Sequence, residues 1–187
     1  MVELCEMCKL LNNGLRLEIL ARVFGAKDGI NVGYLADDMQ NCGLGLSGVS
    51  QYLKQLERLG VIRRVRAGRY VNYVADMRKA NPQVRTAVEA IVPAARKGKG
   101  ERLLPVFGAL MNPFRAGVVA AVAKAGAISA GEICEKTEHQ MKYLKRDLQA
   151  AVDAGLLTPD DSDTELAAYH FVEPADPIVR LLVSLLT

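Results

Sequence analysis

The sequence predicts a mainly α-helical fold with small β-hairpins, built twice in one chain. Two observations of repetition and one of pattern carry this expectation. Residues 11–20 align with residues 110–119 at an offset of 99, each segment entering a helix behind an asparagine. Leu59-Gly60-Val61-Ile62 answers to Ala154-Gly155-Leu156-Leu157 at an offset of 95. Between helical patterns, residues 61–73 change to strand-like alternation around Ala67-Gly68, where glycine permits a tight hairpin turn. A period near 100 is too long for a solenoid and reads as two copies of one small domain.

The elements follow in order. Residues 2–11 carry an apolar stripe at helical spacing that stops at Asn12-Asn13-Gly14. A second helix holds Leu15, Ile19, Leu20 and Val23 on one face, and residues 34–39 form a short third. Ser47 is the expected N-cap of a fourth helix, with Val49, Leu53, Leu56 and Leu59 inward and Gly60 as its left-handed stop. The hairpin comes next, then a final helix over 81–96. The second copy predicts helices near 101–110, 112–124, 129–136, 138–153 and 175–186. The drift in offset assigns four extra residues to the first copy, in the glycine-rich loop 41–45. Helices in this order around a two-stranded hairpin make a winged helix-turn-helix. The predicted fold is therefore mainly α with small β-hairpin wings, as two tandem winged helix-turn-helix domains.

Lys97-Gly98-Lys99-Gly100 reads as a linker, which sets the expected domains at 1–97 and 101–187. Charge divides at the same place. Residues 1–100 hold 16 Lys and Arg against 9 Asp and Glu, whereas residues 101–187 hold 8 against 12. A net charge of only +3 thus conceals a basic half and an acidic half, and a basic half suits a polyanionic partner. The acidic start Met1-Val2-Glu3-Leu4-Cys5-Glu6 does not read as a signal peptide. Residues 116–131 fall short of a spanning helix, and four cysteines do not make a disulfide framework. The expectation is a cytoplasmic protein with no membrane partner. No Gly-rich Lys-Ser/Thr loop, His-Glu-x-x-His or Gly-x-Ser-x-Gly pattern occurs, and neither an enzyme nor a cofactor is expected.

In a helix-turn-helix the second helix enters the major groove, and its exposed residues meet base edges. The outward positions here are Ser47, Ser50, Gln51, Lys54 and Gln55. Gln pairs with adenine through two hydrogen bonds, and Ser reaches a base edge or a phosphate. The hairpin adds Arg63, Arg64, Arg66 and Arg69 without an acid, expected to face one way along the phosphates or into a narrow minor groove. These nine residues are the candidate DNA-binding site. A solvated helix face and a charge-protected sheet edge are the plainer account of each feature taken alone.

The run Leu44-Gly45-Leu46-Ser47-Gly48-Val49-Ser50-Gln51-Tyr52-Leu53-Lys54-Gln55-Leu56-Glu57-Arg58-Leu59-Gly60-Val61-Ile62, with the Arg66-Ala67-Gly68-Arg69-Tyr70 turn, resembles the ArsR-type family of bacterial winged-helix transcriptional repressors. The likeness is strongest over residues 11–75, and the second copy shares the Asn112-Pro113-Phe114-Arg115 helix start. The resemblance implies dimers packed through their first and last helices that repress promoters until an effector binds. Here it implies an intramolecular pseudo-dimer, double-stranded DNA as partner, a homodimer on a palindromic operator, and a small-molecule effector compatible with that role. Departures are plain. Tyr52 replaces the family's common histidine, and the second hairpin, 158–165, has four acids and no base. Lys142, Lys145 and Arg146 nevertheless give the second copy's helix some basic character.

The family's metal-ligand patterns are missing from residues 32–40 and 81–97. Cys5 and Cys8, spaced i, i+3, with Cys42 could serve a soft ion as thiolates. The competing account is a buried apolar stripe of Leu4, Cys5, Cys8 and Leu11. His139 and His170 lack ligand-spaced neighbours and are expected to be structural or exposed. The alternative function is a tandem winged-helix protein-interaction scaffold without DNA binding.

Overall fold

Among the described residues of the computed structural model, 1–137, 140–160 and 167–187, there are ten α-helices, two 3-10 turns and six short strands. The chain is mainly helical, with two small antiparallel three-stranded sheets. By internal contacts it divides into one unit of Asn13–Arg102 and another of Met1–Asn12 together with Leu103–Thr187. The first helix, α1 (Val2–Leu11), therefore belongs with the C-terminal half.

In the unit Asn13–Arg102, asparagines start three of the four α-helices. The Asn13 side chain accepts the Arg16 N–H at the head of α2 (Gly14–Gly25). Asn31 ends the short strand β1 (Ile30–Asn31) and accepts the Gly33 and Tyr34 N–H groups of α3 (Val32–Met39). Each such cap satisfies donors that the first helical turn leaves without a partner. A 3-10 turn, Gln40–Cys42, ends at Gly43 with φ +80 and leads into α4 (Leu46–Arg58). The hairpin strands β2 (Ile62–Ala67) and β3 (Tyr70–Ala75) follow, and then α5 (Pro82–Arg96), which Asn81 caps. The sheet order is β1-β3-β2, with Tyr73 opposite both Ile30 and Arg64. The core joins Leu17, Ile19 and Leu20 of α2 to Leu35, Leu53, Leu56 and Ile91. α2 packs on α5, and α4 on α3 and β2.

Two expectations are corrected here. Ser47 does not cap α4; Gly45 holds the cap position without a side-chain bond, and Ser47 is exposed inside the first turn. The turn over 40–42 and the extended backbone of Gly45 deliver the chain into the helix two residues earlier. Leu59 is half-buried rather than inward, because α4 ends at Arg58 and Leu59 already belongs to its cap.

In the other unit, α1 packs against α6 (Leu104–Leu110), and the Asn12 Nδ2 donates to Met111 Sδ at 3.7 Å. The boundary expected at 97–101 separated these partners. Leu4, Cys5, Met7, Cys8, Leu10 and Leu11 are all buried, so α1 offers apolar surface over more than one narrow stripe. The unit continues through α7 (Pro113–Ala125), β4 (Ala127–Ser129), α8 (Ala130–Thr137), α9 (Met141–Asp153), β5 (Leu157–Pro159), β6 (Ala168–Phe171) and α10 (Pro177–Ser184). Its sheet order is β4-β6-β5. The order of elements from α1 to α5 thus recurs from α6 to α10. The helix expected over 101–110 starts as a 3-10 turn at Glu101–Leu103, and the one expected over 138–153 is described from Met141. No single helix among the described residues is long and apolar enough to cross a membrane.

Gly60 and Gly155 end α4 and α9 in the left-handed region, at φ +74 and +69. A Cβ on Gly60 would meet backbone atoms of Lys79 and Ala80 at 2.7–2.8 Å, whereas one on Gly155 meets nothing within 4 Å. Left-handed backbone costs a non-glycine residue roughly 1–2 kcal/mol. Chemical denaturation should show about that loss for Gly155→Ala and a clearly larger one for Gly60→Ala.

Candidate nucleic-acid interface

α4 is strongly amphipathic. Val49, Tyr52, Leu53 and Leu56 are buried, so helical periodicity sends the intervening positions outward. Ser47, Gln51, Lys54 and Gln55 are exposed, while Ser50 is half-buried beside them. Arg58, one turn beyond Lys54, is exposed on the same side and extends the polar face. The 3.6-residue period could have found it. Leu46 opens the helix with its side chain 57% exposed.

The hairpin does not present its four arginines one way. Side chains alternate along β2, so Arg64 and Arg66 share the face of buried Ile62, while Arg63 lies on the other face with Val65. The arginines also differ in partners. The Arg63 Nε donates to Asp76 Oδ2 at 3.0 Å, and Arg78, which sequence reasoning missed, grips the same carboxylate through two nitrogens at 2.6 and 2.9 Å. Hydrogen bonds from the Arg78 side chain and backbone, and then from Arg63, hold the Asp76 carboxyl well below the usual carboxylate range. At the turn, Arg69 donates to the Tyr70 hydroxyl at 3.0 Å, and its guanidinium stands 5.1 Å from that ring's centroid. Among the described residues, Arg64 and Arg66 have no ion pair, and both are exposed.

The site is thus one helix face and one hairpin in the unit Asn13–Arg102, with α4 packed directly on β2. Two neighbours, Arg16 and Tyr52, are not among the nine candidate site residues. The Arg16 guanidinium stands 5.7 Å from the centroid of the Tyr52 ring. Tyr52 is itself buried, and its hydroxyl has no hydrogen-bond partner. Burial pushes that hydroxyl's pKa upward. Residue type gave the only hint, a tyrosine at a position that must face inward.

No protein-family model, curated protein or solved structure matches the chain.

The corresponding stretch of the other unit is built differently. At the seventh position of α9, Asp147 is buried and its Oδ1 lies 3.2 Å from Arg115 Nε. Arg115 also donates to the Gly108 carbonyl at 2.7 Å. Lys145 and Arg146 are exposed on α9; the side chain of Lys142 lies outside the described residues. Of the four acids expected in the second hairpin, only Asp160 falls within the described residues, and it meets His170 Nε2. His139 lies outside them as well.

Cys5 and Cys8 are buried in α1, while Cys42 is exposed in the other unit. Desolvation raises both α1 thiols, most strongly at Cys8, where Cys5 adds to the effect. Metal binding needs the thiolate, which this burial disfavours. Among the described residues no three His, Cys, Asp or Glu side chains converge on a metal-sized site.

Two measurements follow from these environments. Asp76→Asn should be less thermally stable than the wild type at neutral pH. Because the folded carboxyl is depressed, that advantage is complete above its unfolded pKa of about 3.9 and should close as pH falls further. Thermal melts across pH 2–7, an ordinary working range for acid unfolding, would read it. Alkylation of the native reduced protein, followed by peptide mapping, should label Cys42 first and Cys8 only on unfolding.

Proposed function

We propose that the chain is a DNA-binding transcriptional regulator of the winged helix-turn-helix kind, built as a tandem pair and acting in the cytoplasm as a repressor. The observation that carries this reading is the exposed row Ser47, Gln51, Lys54 and Gln55 on a helix packed against an arginine-bearing hairpin. The amides and hydroxyls suit base edges, and exposed Leu46 suits a thymine methyl. Arg64, Arg66 and Arg69 suit phosphates, whereas Arg63 is committed to Asp76. The ArsR-type resemblance agrees with this assignment. The packing of α1 on α6, the first helices of the two halves, is consistent with the pseudo-dimer that the resemblance implies. Two chains on a palindromic operator would supply two basic hairpins.

Exposed Tyr34 and Tyr70, at 69% and 47%, favour a second reading, a protein-interaction scaffold. Binding to duplex DNA from upstream of the coding gene, followed by fluorescence anisotropy across a salt series, separates the two. For the regulator, affinity falls steeply with salt. Arg66→Ala flattens the log–log slope by about 0.9 for the one phosphate it no longer neutralises, and Arg63→Ala changes it less. A folded, reduced protein that binds no duplex at low salt would overturn the regulator and leave the scaffold.

A further inference from the structure

A cavity of about 450 Å³ lies in the unit Asn13–Arg102, between α2 and the end of α5 with the turn that follows it. Small-molecule sites occupy roughly 300–1,000 Å³. α2 lines the cavity along one face from Gly14 to Arg22, a run of about 12 Å at helical rise. Small residues keep the space open. Ala21 and Ala95 line it from the two helices. Gly100 lets the chain beyond α5 return so closely that a Cβ there would stand 3.3 Å from both Ala95 Cα and Leu17 Cδ1.

Four charged residues line the cavity, two carboxylates and two guanidiniums, so its wall is neutral as a whole. Two of them satisfy each other. Glu18 Oε1 accepts from two Arg22 nitrogens at 3.0 and 2.7 Å, and the third Arg22 nitrogen donates to Asp38 at 2.7 Å. The other two stand apart. Arg96 and Glu101 are exposed, and among the described residues neither side chain has a hydrogen bond or an ion pair. They mark opposite ends of α2. A Cβ on Gly14, its first residue, would meet Glu101 Oε1 at 2.8 Å, and one on Gly25, its last, would lie 3.8 Å from Arg96 Nε. A neutral groove with a carboxylate at one end and a guanidinium at the other suits a molecule with the opposite charges at its own two ends. A single α-amino acid is too short to reach both. A peptide of four residues extends to at most about 14 Å, which matches the lined face.

We propose that this cavity binds a short peptide of about four residues with free termini, its ammonium on Glu101 and its carboxylate on Arg96. The site does not rest on the DNA-binding reading, and its test uses no DNA, so the two fail separately.

The experiment titrates the full chain by calorimetry with alanine peptides of two to five residues, which ask for no side-chain pocket. The expected result is saturable binding that is tightest near four residues. Dialanine, at most about 7 Å long, should bind at least tenfold more weakly. N-acetylated tetra-alanine and tetra-alanine amide should each bind about tenfold more weakly than the free peptide, the loss of one charge-assisted contact. Arg96→Gln should no longer distinguish the free carboxylate from the amide, and Glu101→Gln should no longer distinguish the free amine from the acetylated one. Both side chains are exposed and without partners, so the two variants should melt with the wild type; the capped peptides test the site on the wild type alone. No saturable binding, indifference to length or to capping, or a variant that discriminates as the wild type does would each overturn the site.

Discussion

Burial of one row on α4 fixes the orientation of the polar face. Val49, Leu53 and Leu56 are fully buried, and each such side chain contributes on the order of 2 kcal/mol relative to leaving it in water. Rotating the helix to aim a different polar set outward would expose that row. The outward residues are held in place by the apolar residues between them, and the helix needs no side-chain cap at its start to be well oriented. The hairpin inherits the same constraint. Ile62 and Tyr73 anchor it among the buried residues, and the pleat then decides on which side each arginine emerges.

Much of this was legible in the sequence because it rests on periodicity and on residues with narrow backbone preferences. The stripes of α1, α2 and α4, the left-handed Gly60, the Ala67-Gly68 turn and the Asn81-Pro82 helix start all follow from local rules. Strands β1 and β4 were not legible, since two or three residues are too few to display an alternation. The entry to α4 was misjudged because serine is a good cap wherever it falls, and here Gly45, in extended backbone, holds the cap position. The affiliation of α1 was invisible for another reason. An apolar stripe announces that a helix will be buried, and says nothing of which helix will cover it.

At the candidate site, residue types were readable and pairings were not. Four arginines without an acid in 62–70 look equivalent on paper. Asp76, outside that run, distinguishes Arg63 from its neighbours, and the strand register that brings them together depends on the folded hairpin. The contrast between Arg16 with Tyr52 and Arg115 with Asp147 likewise needs structure, because each pair spans more than 30 residues. Once aligned, the two halves become controls for one another. They share the order of their elements and differ in what stands beside the arginine, a phenol ring at Arg16 and a carboxylate at Arg115.

The pairing of α1 with α6 carries a consequence for how the protein is made. These helices lie about a hundred residues apart in the chain, as the contact between Asn12 and Met111 marks. At roughly 5–20 residues per second, α1 leaves the ribosome several seconds or more before its partner exists. During that interval the segment 13–102 can complete its own core, since its internal contacts close without α1. A helix made well before its partner is thus among the last of these elements to find its place. Until then its buried leucines, methionine and thiols remain exposed to solvent, to chaperones and to other unfinished chains.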